Sequence, residues 1–422
     1  GIEVIMPDPS YIVERRDKLK GLILTHAHED HIGGVPYLWQ YLECPIYTTK
    51  FTASVLKAKF AEFNIPTEVE IPIIEVAGNG IIDLEPFSFE MVGITHSIPE
   101  MHGLVIRTEK GNIFHTGDWK LDPNPIVGAR TNETRLKELG EEGILAMVCD
   151  STNVFTEGHS RSEGELSESI AELIQKERDG LVIITTFASN IARLHSIATA
   201  AKNSGRKVAL AGRALWRMYN AARDSGYLTD LEQFLQPSEV KHYKRNEVLI
   251  ICTGCQGEVL AATNKMASGQ HPDIQLQQGD TIIFSSKIIP GNEKRISNLL
   301  NQFCRAGIEV MTERDHFVHV SGHPAREELA RMYELIRPQL AIPVHGEAVH
   351  LHEHCKFANK CGAPKSIEVT NGAVVHLSGN TPSIIANVES GYLGVDGNDI
   401  IDESNLIFRE RRDMRDNGTI VV

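Results

Sequence analysis

The chain has 422 residues, which is enough for two domains or for one domain that carries an insertion. Its formal net charge of −14 argues against indiscriminate binding of nucleic acid, although local patches could still attract it. No apolar stretch is long enough to cross a bilayer and no signal peptide opens the sequence, so we expect no membrane partner. The seven cysteines are scattered and odd in number, which is typical of a reducing compartment and predicts a cytoplasmic protein.

Residues 1–164 are predicted to form the first part of one domain, in which short apolar strands end in polar loops. Residues 1–10 are predicted to be a loop. Because a strand with a dense polar loop follows so soon, we expect further N-terminal strands before residue 1. Strands are predicted at 21–24, 45–49, 87–94, 103–108, 112–115 and 144–149, and helices at 37–42 and 51–63.

After about Glu163 the pattern changes to strands that alternate with helices. This alternation predicts a mainly parallel sheet covered on both faces, as a second domain over residues 165–315. Its strands are predicted at 181–186, 207–211, 248–252 and 281–285, and its helices at 167–177, 190–202, 215–225 and 292–305.

Residues 316–385 return to strands that end in polar residues, so the second domain looks inserted into the first. A helix is predicted at 326–336 and a strand at 340–344. A hairpin is predicted between 367–369 and 374–377, because Asn371-Gly372 is a strong type I′ turn signal. Residues 386–422 are predicted to be a linker and the start of a truncated C-terminal domain, with a strand beginning at 419–422.

The densest group of polar residues follows the first predicted strand. Thr25-His26-Ala27-His28-Glu29-Asp30-His31 holds three imidazoles and two carboxylates on a loop between a strand and a helix. Loops at the carboxyl ends of core strands are where α/β folds gather ligand sites. His26 and His28 can reach one point, whereas Asp30 and His31 can reach a neighbouring one. Imidazole and carboxylate suit Zn(II) or Mn(II), so the run predicts a metal site.

Other polar residues share this position at the end of a predicted core strand, and we expect them to lie near the same loop. They are His96, Asp118, Asp150, His323 and His345.

Two weaker patterns leave alternatives open. His350 and His354 lie one turn apart on a predicted helix and could hold a second metal, but no third ligand is evident. Cys252-Thr253-Gly254-Cys255 could be a redox or zinc motif, or simply two thiols at a strand end.

The spacing His26-x-His28-x-Asp30-His31, followed by His96, Asp118 and His345, resembles the ligand set of the metallo-β-lactamase superfamily. With Asp150 before it and Ser321-Gly322-His323 after it, the inserted segment resembles the β-CASP branch. The implied fold is α/β, a metallo-β-lactamase αββα sandwich with an inserted β-CASP α/β domain of mainly parallel sheet. The following motifs make nearly the whole chain similar to the bacterial ribonuclease J family: Asp150-Ser151-Thr152-Asn153, Thr186-Phe187-Ala188-Ser189-Asn190, Thr253-Gly254-Cys255-Gln256-Gly257-Glu258, Ile289-Pro290-Gly291-Asn292-Glu293 and Pro343-Val344-His345-Gly346-Glu347.

The resemblance implies two divalent metal ions, with Zn(II) expected and Mn(II) or Mg(II) as alternatives in activity. Such a pair, roughly 3.5–4 Å apart, lowers the pKa of a shared water and clamps a phosphodiester for in-line attack. Carried over position by position, the resemblance gives His26, His28 and His96 to the first metal, Asp30, His31 and His345 to the second, and Asp118 to both.

The implied catalytic residues are Asp30, His323 and Asp150. His323 would be the general acid that protonates the leaving 3′ oxygen, and Asp150 would orient it and stabilise its protonated form. Asp30 is at once a ligand and a catalytic candidate.

Substrate contacts are expected from Ser189, Asn190, Ser321, Gly322 and Arg326. Many members of the family carry a Ser after Ser-Gly-His that helps to hold a 5′-phosphate, whereas this sequence has Pro324-Ala325-Arg326. Arg326 or Ser321 is therefore a candidate for that contact. The glycines at 254, 257 and 291 could cradle phosphates through backbone N–H groups or form ordinary turns.

The implied function is a hydrolase of single-stranded RNA that acts as a 5′-to-3′ exonuclease and as an endonuclease, leaves 5′-phosphates and serves RNA processing and decay. The RNA would lie in the groove between the two domains of the chain. The protein would form a homodimer or homotetramer and associate with other RNA-decay proteins. A β-CASP DNA nuclease is disfavoured by His345, which DNA-directed members usually lack. The inserted domain counts against a small-molecule hydrolase, and the complete ligand set counts against a non-catalytic partner subunit.

Overall fold

The computed structural model describes residues 4–63, 70–177, 179–378, 381–396, 399–402, 404–418 and 420. Within these ranges, no helix is both long and apolar enough to cross a membrane. The strands are Val4–Pro7 (β1), Leu22–Ile23 (β2), Ile46–Thr48 (β3), Ile73–Glu75 (β4), Ile81–Leu84 (β5), Phe87–Gly93 (β6), His102–Thr108 (β7), Gly111–His115 (β8), Ala146–Asp150 (β9), Val182–Thr185 (β10), Lys207–Ala211 (β11), Val248–Cys252 (β12), Thr281–Phe284 (β13), Glu309–Met311 (β14), Leu340–Val344 (β15), Lys365–Ser366 (β16), Ala373–His376 (β17), Ser383–Asn387 (β18), Tyr392–Asp396 (β19) and Asp399–Asp402 (β20).

The helices that connect and cover these strands are Ser10–Val13 (α1), Glu29–Ile32 (α2), Val35–Leu42 (α3), Lys50–Phe60 (α4), Glu133–Glu142 (α5), Glu163–Lys176 (α6), Ile191–Asn203 (α7), Arg213–Asp224 (α8), Ala262–Ala267 (α9), Glu293–Arg305 (α10), Arg326–Ile336 (α11), Ala348–Lys360 (α12) and Leu406–Asn417 (α13).

Two sheets face each other in a sandwich. The larger has the strand order β16-β15-β9-β8-β7-β6-β5, and the smaller has the order β2-β3-β4. They meet where Met91 and Leu104 of the larger sheet pack with Ile23 and Tyr47 of the smaller one. Helices α3 and α4 pack on the small sheet, and α5, α11 and α12 pack on the large one. The layer order is therefore helix, sheet, sheet, helix, which confirms the predicted αββα sandwich.

A separate sheet of five parallel strands lies between β9 and β15 in sequence. Its order is β11-β12-β10-β13-β14, and every pairing in it is parallel. The strands are continuous apolar runs because helices cover both faces: α6, α7 and α8 on one, α9 and α10 on the other. The strands on either side of this segment pair directly, Leu340 opposite Ala146. The predicted inserted α/β body is confirmed, whereas its boundaries at 165 and 315 stay a prediction.

Near the chain ends the structure differs from three sequence predictions. Residues 4–7 are not a loop but strand β1, which pairs antiparallel with β19. Residues 386–396 and 399–402 contain strands where a linker was predicted: β18 runs to Asn387, and β19 pairs with β20. The predicted hairpin between 367–369 and 374–377 is also wrong, since β17 pairs with β18 instead. The strand predicted from 419 onward falls mainly outside the described residues.

A buried group of four charged side chains joins the sandwich to the inserted body. We call Lys120, Asp122, Glu163 and Arg193 the junction cluster; all four are buried. Lys120 Nζ lies 2.9 Å from Asp122 Oδ2, and the same Asp122 oxygen accepts the backbone N–H of Glu163 at 2.9 Å. Arg193 binds the Glu163 carboxylate in a bidentate pair, through Nε at 3.1 Å and Nη2 at 2.8 Å.

Arg193 also holds the segment by which the chain returns to the sandwich. Its Nη1 donates to the Oγ of Ser285 at 2.6 Å and to the carbonyl oxygen of Val318 at 3.5 Å. Burial alone would raise the pKa of Glu163, but the charge and hydrogen bonds of Arg193, together with Lys120 and Asn190, lower that pKa. Both chain crossings between the two bodies are therefore tied to one guanidinium.

Replacing Arg193 by Met should lower the free energy of unfolding by about 3–5 kcal/mol, because it leaves the Glu163 carboxylate buried without its counter-ion. Urea unfolding followed by circular dichroism measures the change. The matched control is Arg331→Met, which breaks the exposed 2.9 Å pair with Glu133 and should cost less than about 1 kcal/mol. Equal losses in the two variants would contradict a structural role for the junction cluster.

Candidate active site

The polar loops meet because the strands before them end at one edge of the large sheet. Strands β8, β9 and β15 are mutually parallel neighbours. β6 and β8 are both antiparallel to β7, so they run in the same direction. The loops after β6, β8 and β15 carry His96, Asp118 and His345, and β9 ends on Asp150. The loop after β2 brings His26 to His31 to the same edge.

The first group of ligand atoms is rich in nitrogen. His26, His28, His96 and Asp118 offer atoms that all lie within 4.8 Å of one another. His28 Nδ1 lies 3.2 Å from His26 Nε2 and 3.0 Å from His96 Nε2. The Asp118 Oδ2 atom lies 3.8 Å from His26 Nε2. The structure therefore brings the three histidines assigned to one metal together with the residue assigned as the bridge.

The second group contains more oxygen and is more open. Asp30, His31, Asp118 and His345 again place their ligand atoms within 4.8 Å of one another. His31 Nε2 lies 3.1 Å from Asp118 Oδ2, and His345 Nε2 lies 3.4 Å from Asp30 Oδ2 and 3.5 Å from Asp118 Oδ2. The side chain of Asp30 is 62 % exposed, whereas that of Asp118 is 4 % exposed. Asp118 belongs to both groups, as the predicted bridging residue should.

The protonation of the first group fits bound metal. His96 Nδ1 lies 2.6 Å from the carbonyl oxygen of Gly322, which can only accept, so the neutral ring must carry its hydrogen there. Its Nε2 therefore turns a lone pair toward His28. Burial lowers the pKa of His28 to about 4, and it lowers the pKa values of His26 and His96 well below the usual range. Neutral imidazoles that face one another beside a carboxylate are a donor set for divalent metal ions.

A third group, formed by Asp150, His323 and His345, lies beside the second and shares His345 with it. His323 Nδ1 is 2.7 Å from Asp150 Oδ2, and the other carboxylate oxygen of Asp150 is 3.5 Å from His345 Nδ1. Burial alone would lower the pKa of His323, but the buried Asp150 carboxylate outweighs it and raises that pKa. The imidazole of His323 packs between two ligand rings, 5.1 Å from His96 and 5.5 Å from His345. A histidine whose pKa is raised thus lies against a residue of each of the first two groups.

Neighbouring loops fix these side chains. His345 has a φ of 57°, a left-handed conformation that a non-glycine residue adopts only under constraint. The constraint includes Thr152, whose Oγ1 lies 2.9 Å from His345 Nδ1 and donates to Asp150 Oδ1 at 2.6 Å. Asn153 donates to Ser321 Oγ at 2.8 Å and to the carbonyl oxygen of His323 at 3.1 Å. The Asp150–Asn153 motif thus joins the loop that carries His323 to the loop that carries His345.

Two of the predicted substrate contacts have partners within the fold. Asn190 is 5 % exposed; its side-chain oxygen caps α7 at the N–H of Arg193, and its amide donates to Glu163. Arg326 directs its guanidinium to the carbonyl of Val154 at 2.8 Å and to Glu353 at 2.6 Å. Both side chains therefore have a structural role, and their contact with substrate stays a prediction.

The other predicted contacts remain open to the site. Ser321 Oγ accepts from Asn153 and from the N–H of His323 at 3.1 Å, which leaves its own hydrogen free to donate. Gly322 packs so tightly on His96 that a side chain would not fit. Ser189 is half-buried in the turn between β10 and α7, and its role stays a prediction.

The ambiguous patterns resolve into structural roles. His354 is buried between Ser151 Oγ at 2.8 Å and Tyr333 OH at 2.9 Å, and among the described residues it belongs to no metal-ligating group. Burial raises the pKa values of the Cys252 and Cys255 thiols to about 12, which leaves them unreactive. The backbone N–H groups of Gly257 and Gly291 donate to Gly254 and Glu293, so these glycines form ordinary turns.

The sequence analysis missed His319. Its Nδ1 is buried and has no hydrogen-bond partner. Burial, with the charges of Arg193, Lys287 and Lys120, lowers the pKa of His319 to about 3, so the ring is neutral at pH 7. A neutral, unpartnered imidazole near three cations is suited to an anion. The sequence did offer one indication of this residue, because His319 lies two residues before the predicted substrate contact Ser321.

Comparisons with known proteins agree over the whole chain. The model of the beta-lactamase superfamily domain matches residues 5–136, that of the ribonuclease J beta-CASP domain matches 179–303, and that of the Zn-dependent metallo-hydrolase RNA specificity domain matches 307–364. A crystal structure of a protein of unknown function from Enterococcus faecalis V583 is similar, with a TM-score of 0.57, 18 % identity and coverage of 82 % of this chain and 78 % of that one. This likeness shows the fold.

Three curated relatives align with essentially the full chain. Ribonuclease J of Sinorhizobium meliloti is 42 % identical over 100 % of this chain and 74 % of its own length. Ribonuclease J 1 of Streptococcus pyogenes serotype M3 is 38 % identical over 100 % of this chain and 75 % of its own. Ribonuclease J2 of Bacillus subtilis is 36 % identical over 100 % and 76 %. These matches confirm the resemblance that the motifs indicated.

Replacing Gly322 by Ala should weaken metal binding by roughly 10- to 100-fold, because this residue holds a ligand in place. The new Cβ would lie 2.8 Å from Ser97 Oγ and 2.9 Å from the His96 ring, so that ring must move. Competition with a chromophoric chelator measures the affinity. Gly34→Ala is the control, since its Cβ would meet nothing closer than 3.5 Å. An affinity equal to that of the control would contradict the assignment of His96 as a ligand.

Proposed function

This chain belongs to the ribonuclease J family, and we propose that it is a metal-dependent ribonuclease that hydrolyses phosphodiester bonds of single-stranded RNA. The observation that carries the proposal is the sharing of Asp118 between two complete groups of ligand atoms, with the His323–Asp150 pair beside them. A small-molecule hydrolase would need neither the inserted body nor a second proton carrier. The name of the RNA specificity domain that matches 307–364 supports RNA as the substrate.

The two groups of ligands would hold two divalent cations, most suitably Zn(II) for the nitrogen-rich group. His26, His28 and His96 would hold one, Asp30, His31 and His345 the other, and Asp118 would bind both. When bound, such a pair lowers the pKa of a water and neutralises the charge that develops on the phosphodiester. The chain's own contribution is to keep the three imidazoles of the first group neutral, as burial does.

His323 would protonate the leaving 3′ oxygen. The Asp150 carboxylate accepts from Nδ1, so Nε2 is the nitrogen that faces the reacting group. Asp150 also favours the protonated ring, which is the form that a general acid must have before the bond breaks. The product downstream of the cut would carry a 5′-phosphate.

The terminal 5′-phosphate would be held near Ser321 and His319. Ser321 has a hydroxyl hydrogen to donate, and His319 has an unpartnered nitrogen beside three cations. When the 5′-phosphate is held there, the RNA could be shortened from its 5′ end one nucleotide at a time. When no 5′-phosphate is held there, the cut would fall within the RNA strand. We therefore propose both 5′-to-3′ exonuclease and endonuclease action.

We also propose a cytoplasmic location and a homodimer or homotetramer that works with other RNA-decay proteins. The location is supported by seven cysteines that are all unpaired, as in a reducing compartment. Light scattering in solution measures the oligomeric state.

The function is tested with RNA labelled at its 5′ end and carrying either a monophosphate or a triphosphate. Labelled mononucleotide released only from the monophosphate form is expected for exonuclease action, and labelled internal fragments from both forms for endonuclease action. Removal of metal by a chelator should abolish cleavage, and returning Zn(II) or Mn(II) should restore it. The metal that restores the rate identifies the cofactor.

His323→Ala should lower kcat by roughly 10²- to 10⁴-fold with the metal content unchanged, because it removes the general acid and no ligand. His195→Ala is the matched control, since it breaks a similar 2.9 Å pair with Asp230 on the inserted body. Cleavage of single-stranded DNA in preference to RNA would replace the proposal by a DNA nuclease. No cleavage by metal-loaded protein would indicate a non-catalytic subunit.

A further inference from the structure

An exposed aromatic side chain stands next to the site and has no role in the fold or in the proposed chemistry. Phe155 is 54 % exposed. Its only ring partner among the described residues is His350, at a centroid distance of 5.3 Å and an interplanar angle of 65°. Val349, which precedes His350 on α12, is 62 % exposed. We call the two rings in contact, Phe155 and His350, the aromatic platform.

The platform is built on the two loops that carry the chemistry. Phe155 follows Thr152 and Asn153, which bind His345 and the general-acid loop. His350 lies in the first turn of α12, five residues after His345. Gly346 joins the two, since a Cβ on it would lie 2.8 Å from the Cβ of His350. One loop of the platform therefore carries His345 of the second ligand group, and the other loop contacts that residue through Thr152.

Charge decides which part of an RNA chain this surface can take. Glu347 is exposed at the edge of the platform, and Glu157 lies two residues after Phe155. Glu157 is paired with Arg326 at 3.1 Å, and Glu347 makes no ion pair among the described residues. A phosphate would be repelled here, whereas the flat face of a base carries no charge and stacks on an aromatic ring.

We propose that Phe155, supported by His350, stacks on one base of a single-stranded RNA as the strand leaves the metal site. The inference rests on the proposed function, because it assigns the platform to the same substrate. Phe155 binds the substrate and takes no part in bond cleavage. Stacking of this kind tolerates any base, so the platform would add affinity without sequence preference.

Phe155→Ala should raise KM for RNA by roughly 5- to 100-fold and leave kcat within about twofold, since one base stack is lost in ground and transition states alike. Phe155→Trp should retain the wild-type KM, and Phe155→Leu should resemble the alanine variant. Phe87→Ala is the matched control, because Phe87 is 42 % exposed on β6 and also has one aromatic neighbour. A KM for Phe155→Ala equal to that of the control would overturn the proposal.

A scan of the substrate locates the base. Single nucleotides without a base are placed at successive positions of one RNA. At one position, removing the base should raise the KM of the wild-type protein as much as Phe155→Ala does. Removing the same base should leave the KM of the Phe155→Ala variant unchanged. Independent losses at every position would show that Phe155 touches no base.

A fluorescence measurement separates failure of this proposal from failure of the proposed function. Metal-loaded His323→Ala protein, with and without Phe155→Ala, binds RNA that carries 2-aminopurine at the scanned position. Stacking should quench the fluorescence only when Phe155 is present. Normal cleavage by wild-type protein without this difference overturns the platform alone, and absence of both cleavage and binding overturns both proposals. A change in oligomeric mass with an unchanged KM would make the platform a contact between copies, which also overturns it.

Discussion

The guanidinium of Arg193 lies where the chain leaves the sandwich and where it returns, and one side chain holds both crossings. Through Glu163 and Asp122 the contacts continue to Lys120, two residues after Asp118, which belongs to both ligand groups. Through Val318 they reach the loop that precedes His323. Removing four charges from water is costly, and well-packed hydrophobic residues in their place would often give the same stability or more. The charged side chains instead fix the orientation of the inserted body on the sandwich. Bidentate and backbone hydrogen bonds have a defined geometry, so they form in only one relative placement of the two bodies.

The same logic recurs at smaller scale around the site, where each important side chain is held by a loop other than its own. Gly322, from the returning chain, fixes the tautomer of His96, and Asn153 fixes the backbone of His323. Thr152 holds His345 in its left-handed conformation. The strain at His345 persists because several neighbours determine it together. The ligand set is therefore a property of the assembled edge of the sheet, and no single loop could be excised with its function intact.

The sequence indicated the site because metal ligands and strand ends are both local signals. A buried strand such as Val248–Cys252 is a continuous apolar run, and residues after such runs must gather at one edge. Pairings between distant segments have no such signal. β1 and β19 pair although they lie near opposite ends of the sequence, and no pattern in residues 386–402 indicates that their partner is β1. Asn371-Gly372 does form a turn, but the turn signal does not indicate which strand pairs with the one that follows it, β17. The internal hydrogen bonds of Asn190 and Arg326 were not foreseen, because a motif reveals residue type and not burial or partners.

The acidity of the chain limits how it can recognise RNA. At a net charge of −14, two bound divalent cations would offset less than a third of the excess, so long-range attraction of a polyanion is weak. Affinity must then come from contacts that act at short range and do not depend on net charge. The two ligand groups, the neutral ring of His319 and the hydroxyl of Ser321 can serve one or two phosphates at the cut. Along the path that we propose for the strand, Arg326 is already paired with Glu157, Glu347 is exposed, and the surface presents Phe155. Under these constraints the bases, and not the backbone, are the part of the strand that the protein can hold beyond the metals.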